Sequence, residues 1–236
     1  MNKIFKLAVT DFKLIFRDPS LYSFIFLPIL LYGLMIWFLP GLVDRYDVLV
    51  PYLPLFLVLG VIENTQMFCF INSMVLIEEK ETGVSILYGI TPITENQFLL
   101  SRFIFPYLIT VLFNVGLIAL QPFYEIGLST NIMISALAAM VVPVYVLGIN
   151  SVVDNRMQGM IYIKAFNMIV LLPFAAFFVP ENVVHLFGLL PTHWIFQSIV
   201  NVTEGTSYAF FAIITVFYFG GLMIWLSRLF VKKHFI

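Results

Sequence analysis

Apolar residues fall in six runs of roughly 20, set apart by short polar or charged stretches, along nearly the whole chain. A run of that length crosses a hydrocarbon core about 30 Å thick as a helix. The runs lie near 21–39, 52–77, 98–121, 132–153, 160–178 and 207–229. Within hydrocarbon every backbone N–H and C=O needs a partner from its own segment. The pattern therefore predicts an all-α polytopic membrane protein with six transmembrane helices.

The first residues follow another period. Lys3, Lys6, Thr10, Lys13 and Arg17 recur at i, i+3, i+7, i+10 and i+14, while Ile4, Phe5, Ala8, Phe12, Ile15 and Phe16 take the other side. A helix with one cationic and one apolar face lies in the headgroup plane. Residues 1–19 are thus expected to be an interfacial amphipathic helix. Arg17-Asp18-Pro19 ends it, because proline cannot continue the ladder. The span after Pro19 is too long for a signal core, so no separate cleavable signal peptide is expected.

Two connections are more than turns. The segment 78–97 is charged and compact, and within it Thr94 and Gln97 form a Thr-x-x-Gln capping box with Ile93 and Phe98 as a staple. The segment 179–206 holds Pro180, Pro191 and Trp194 without Lys or Arg, and reads as a partly inserted outer helical hairpin.

Composition sharpens this. Of 236 residues, 61% are hydrophobic and only 11% charged, too few to cover a water-soluble globule, and mean hydropathy is +1.02. The net charge of −1 leaves no footprint for nucleic acid. With both termini inside, 11 of the 12 cations (Lys3, Lys6, Lys13, Arg17, Lys80, Arg102, Arg156, Lys164, Arg228, Lys232 and Lys233) lie at or near the cytoplasmic side, and only Arg45 lies outside. The lone Cys69 excludes an intrachain disulfide.

Catalytic signatures are missing. The sequence has no phosphate loop, no G-x-S-x-G and no H-E-x-x-H. No catalytic residue, metal site or cofactor is expected on this chain; His185 and His193 read as interfacial packing. Polar residues inside the spans say more, since hydrocarbon penalises each one. The second span carries Glu63, Asn64, Gln66, Asn72 and Ser73. Glu63, Gln66 and Ser73 share one helix face with Met67, Phe70 and Met74. This stripe is a candidate substrate pathway for an amphiphilic cargo, or a set of interhelical hydrogen bonds. Glu63 stands about 15 residues, roughly 22 Å, from the inner end of its helix, in the outer half of the bilayer.

Together these features resemble the permease subunit of type 2 ABC exporters. The resemblance rests on Arg17-Asp18-Pro19, on Glu78-Glu79-Lys80-Glu81-Thr82-Gly83, and on Thr91-Pro92-Ile93-Thr94. Family members carry an E-x-E-x-G-T-like run before a T-P-I-S-like turn; here Val84 and Thr94 depart mildly from it. The resemblance implies that 1–19 is an elbow helix, 20–236 a six-helix permease domain, and 179–206 a re-entrant hairpin before the last span. It implies that 78–97 couples to an ATPase through Glu78, Glu79, Lys80, Glu81, Thr82, Gly83, Leu87, Tyr88, Thr91, Pro92 and Ile93. The acidic run would pair with basic residues on that partner. The implied partners are an ABC ATPase subunit dimer, which would hold ATP and Mg, and a second permease chain, identical or a sister. The implied cargo is a drug, antimicrobial peptide or lipid leaving across the cytoplasmic membrane. The alternatives are a secondary transporter or channel without an ATPase, or a haem-exporter-like permease.

Overall fold

Every element among the described residues is helical, in line with the need to pair backbone groups internally. The computed structural model describes Phe24, residues 26–83 and residues 94–234. The segment 1–19, with Arg17, Asp18 and Pro19, lies outside the described residues, as do Leu87, Tyr88, Thr91, Pro92 and Ile93.

Among the described residues six helices are long and apolar enough to cross a membrane. The first, α1 (Phe26–Val43), widens into a π-turn at Leu34–Phe38, where the Leu39 N–H reaches the Leu34 carbonyl. Pro40 follows at once and has no N–H for the regular ladder. A 3-10 turn over Asp47–Tyr52 leads into α2 (Leu53–Glu81). The next span is α3 (Glu95–Leu120), opened by the expected capping box: the Gln97 N–H donates to Thr94 Oγ1 at 3.4 Å and the Thr94 N–H to Gln97 Oε1 at 3.3 Å.

The fourth span is two helices, α4 (Leu128–Ala139) and α5 (Val141–Val152), broken at Met140. Pro143 explains the break, because it has no N–H for the Ala139 carbonyl. Buried residues make up 72% of this span's most apolar stretch against 17% for the first and last spans, so the broken span is the axis of the bundle. The fifth span is α6 (Arg156–Leu171), capped by Asn155 and continued by a 3-10 turn over Leu172–Phe178. Then come α7 (Glu181–Val184), a 3-10 turn (His185–Leu189), α8 (Pro191–Thr203) and the last span, α9 (Ala209–His234).

The hairpin expected before the last span is formed by α7 and α8. Ile195, Phe196 and Ile199 on α8 are fully buried, and the helix packs against α9, α2 and α4. Thr192 Oγ1 donates to the Val170 carbonyl at 2.9 Å, which ties the hairpin to the end of α6.

The largest departure from the sequence reading is at the end of α2. Residues 78–81 were expected in a loop, yet the helix runs through Glu81. Its charges find partners on neighbouring helices, so polarity does not end it. Thr82 and Gly83 do. The Thr82 N–H returns to the Glu78 carbonyl at 2.9 Å, and Gly83 takes φ +74°, a left-handed conformation open to a residue without Cβ.

Candidate functional site

Alternating helix direction gathers the C-termini of α2, α5 and α9 with the N-termini of α3 and α6. This is the basic end of the bundle, and the acidic run is built into it. Glu79 accepts from Arg102 at 2.7 Å, with the two side chains only 7% and 3% exposed. The Arg102 guanidinium also lies 5.1 Å from the centre of the Phe98 ring, within cation–π range. Glu78 pairs with Arg156 at 2.7 Å, half in solvent. Lys80 binds Asp154 at 2.6 Å and also donates to the Val153 carbonyl. Glu81 accepts from the Arg156 N–H at 3.4 Å.

The acidic run thus ties α2 to α3 and to the α5–α6 junction. Glu78, Glu79, Lys80 and Glu81 all engage groups of their own chain. The reason is proximity. Arg102 lies two turns into α3, and Asp154 and Arg156 flank the Asn155 cap of α6, so these charges meet within the chain.

The candidate pathway stripe divides. Gln66, Ser73 and Met74 are buried, whereas Glu63, Met67 and Phe70 are half-buried. Gln66 Nε2 donates to the Asn167 carbonyl on α6 at 3.3 Å, and the Asn167 side chain in turn accepts from the Tyr145 hydroxyl on α5. Asn64 Nδ2 donates to Asn114 Oδ1 at 2.7 Å, and Asn114 Nδ2 donates to Thr65 Oγ1 at 3.0 Å. All three side chains of that α2–α3 cluster are fully buried. Asn72 Nδ2 donates to the Phe68 carbonyl of its own helix at 2.7 Å. Two of the five polar residues, Asn64 and Gln66, thus bond to other helices, while Ser73 Oγ is buried without a hydrogen-bond partner among the described residues.

What remains half-buried is the line Glu63, Met67, Phe70, the last with one ring face against Phe24. It lies between the side of α2 that meets α1 and the side that meets α6. Gly60 faces Met35 of α1, Phe70 stacks on Phe24 with ring centres 4.2 Å apart, and Gln66 faces α6. Away from the helix ends, Glu63 is the one carboxylate in the six spans among the described residues. With α2 ending at Glu81, it stands about 27 Å along the helix from the basic end.

An apolar cavity of about 560 Å³ opens on another side of the bundle, between α3, the α4–α5 break and α9. Phe103, Tyr107, Met140, Pro143, Phe219 and Met223 are among its walls, and the Tyr107 hydroxyl turns away to the Ala136 carbonyl at 3.2 Å. A smaller one of about 380 Å³ lies between α1 and α3, beside Tyr32 and Phe113. Sequence reasoning missed both, because their walls are ordinary apolar residues that read as lipid-facing. Pro143 was the only local signal, marking where the axis helix bends. Of the outer histidines, His193 is buried between the Phe187 and Trp194 rings.

Comparison with known proteins bears on what this bundle does. The family described as fluoroquinolones export permease protein Rv2686c-like matches residues 11–227. Two curated relatives are fluoroquinolones export permease proteins of Mycobacterium tuberculosis, from strains CDC 1551 / Oshkosh and ATCC 25618 / H37Rv. Each is 25% identical over 198 residues, covering 78% of this chain and 76% of the relative.

Proposed function

From the premise that this chain belongs to the Rv2686c-like family of fluoroquinolone export permeases, we propose that it is the membrane-spanning subunit of an ABC exporter driven by a separate ATPase subunit dimer. The sequence carries no phosphate loop, so in this reading ATP is hydrolysed on another chain. ATP and Mg are assigned to that partner, and no cofactor to this one.

The observation that carries the reading is the clamp at the basic end. The Glu79–Arg102 pair holds the end of α2 against the start of α3, on either side of the segment 84–93. A push on that segment would move two spans as one body. The coupling surface is assigned to Thr82, Gly83, Leu87, Tyr88, Thr91, Pro92 and Ile93, with the Glu78–Glu81 pairs transmitting the push. Arg17-Asp18-Pro19 would turn an elbow helix into the bundle.

In this reading the basic end and both termini face the cytoplasm, and the membrane is the cytoplasmic one. The exposed sides of α1 and α6 receive a second permease chain, identical or a sister. The cargo is hydrophobic or amphipathic, and fluoroquinolones, the cargo named for the relatives, fit that class. The half-buried line Glu63, Met67, Phe70 is its assigned contact, flanked by Gln66, Ser73 and Met74.

The test is extraction from native membranes in mild detergent, with mass spectrometry of whatever accompanies the chain. A stoichiometric ATPase is expected, lost on replacing Pro92 or Leu87. A chain that repeatedly emerges intact and without an ATPase overturns the proposal.

A further inference from the structure

We propose that Glu63 is the recognition residue for a cationic amine carried on an apolar body. The inference rests on the exporter reading and deepens it by naming the charge class of the cargo. A carboxylate away from the helix ends is costly in hydrocarbon unless a cation or a donor meets it, and intramembrane acids accordingly line cargo or ion routes. The amide N–H groups of its neighbours on α2 find acceptors inside the chain: Asn64 on Asn114, Gln66 on the Asn167 carbonyl, and Asn72 on the Phe68 carbonyl. Among the described residues Glu63 makes no hydrogen bond and no ion pair. Lys164, on α6 one turn from Asn167, is exposed and does not reach it. An ammonium on the cargo would supply the cation, and the half-buried position leaves one side of the carboxylate open to it.

The residues along the same line favour a ligand rather than a solvated ion. Met67 and Phe70 follow Glu63 at i+4 and i+7, both half-buried, so the three side chains mark a strip about 10 Å long. A thioether and an aromatic face are polarizable, apolar surfaces that also tolerate a nearby ammonium. An aromatic or aliphatic body would lie along Met67 and Phe70 while its ammonium meets Glu63. A small inorganic cation would instead require several oxygen ligands, and the strip offers one carboxylate. An anionic cargo is disfavoured by the same charge.

The experiment uses the full chain in its native membranes, energised with ATP. The probes are a fluorescent naphthylpiperazine and its N-acetyl derivative, which keeps the body and lacks the basic amine. Wild type is expected to export the amine well and the acetyl derivative poorly. Glu63→Gln should lower apparent affinity for the amine at least about tenfold and leave the acetyl derivative unchanged. Glu63→Asp, which keeps the charge, should restore part of the loss. Equal export of the amine by wild type and Glu63→Gln overturns the inference. So does an equal loss of both probes, which would mark Glu63 as structural, and so does a wild type that exports neither. In each of those cases an ATPase that still co-purifies leaves the exporter reading standing, and its absence removes that too.

Discussion

Arg102→Met tests the clamp at the basic end. The substitution keeps most of the side-chain volume and removes the guanidinium, leaving Glu79 with its charge in a site where it is only 7% exposed. Breaking a buried pair from one side costs about 3–5 kcal/mol, because the remaining charge has lost its ion-pair partner. For a chain of this size each kcal/mol moves the unfolding midpoint by about 2–4 °C, so the expected fall is on the order of 10 °C. Adding Glu79→Leu removes the carboxylate that Arg102 faced, and the double variant should recover a large part of the loss. Arg156→Met is the internal control. Its pair with Glu78 is also 2.7 Å long, but the side chains are 39% and 42% exposed, and an ion pair in water contributes about 0–1 kcal/mol. The assay is the fraction of monodisperse protein surviving heating in detergent, read by fluorescence-detected gel filtration. If the double variant falls as far as the sum of the single ones, Glu79 and Arg102 are not coupled, and the clamp argument fails. If Arg156→Met falls as far as Arg102→Met, burial is not what gives the pair its weight.

Asn114→Leu should cost about 1–3 kcal/mol by leaving the buried Asn64 amide without its acceptor, and a second Asn64→Leu change should recover part of it in the same heating assay. Thr94→Ala should weaken the start of α3 by about 1 kcal/mol, visible as faster amide exchange in its first turn. Burial and then the charge of Glu204 hold the Tyr124 hydroxyl above its ordinary value of 10.0. The folded chain keeps a proton that the unfolded chain has already released, so this contribution is neutral below pH 10 and turns destabilising as pH rises beyond it. Tyr124→Phe should therefore flatten the alkaline fall in thermal stability; an unchanged fall would remove Tyr124 as its source.

The apolar runs located all six spans, because hydrocarbon admits only helices long enough to cross it and the runs have that length. The Thr94–Gln97 box was equally legible, since both partners belong to one turn. The ends of the spans were harder. Asn155, capping α6, and the charged last turn of α2 look like loop until their partners are known. Glu78 to Glu81 illustrate this: the same residues read as a solvated surface run or as a helix end, depending on what stands beside them.

Local pattern by itself determined that the chain spans the membrane six times, with its cations gathered at one end and a carboxylate isolated in the second span. Those properties follow from length, period and the cost of charge in hydrocarbon, and none requires knowing which helix touches which. Tertiary structure decided the rest. It made the broken fourth span the axis, paired Glu79 with Arg102 and Asn64 with Asn114, and opened a cavity between α3 and α9. It also separated Glu63 from Gln66, one left half-open and the other tied to α6. Side chains three residues apart on a helix share a face, but only the placement of α1 and α6 settles which of them a neighbour covers.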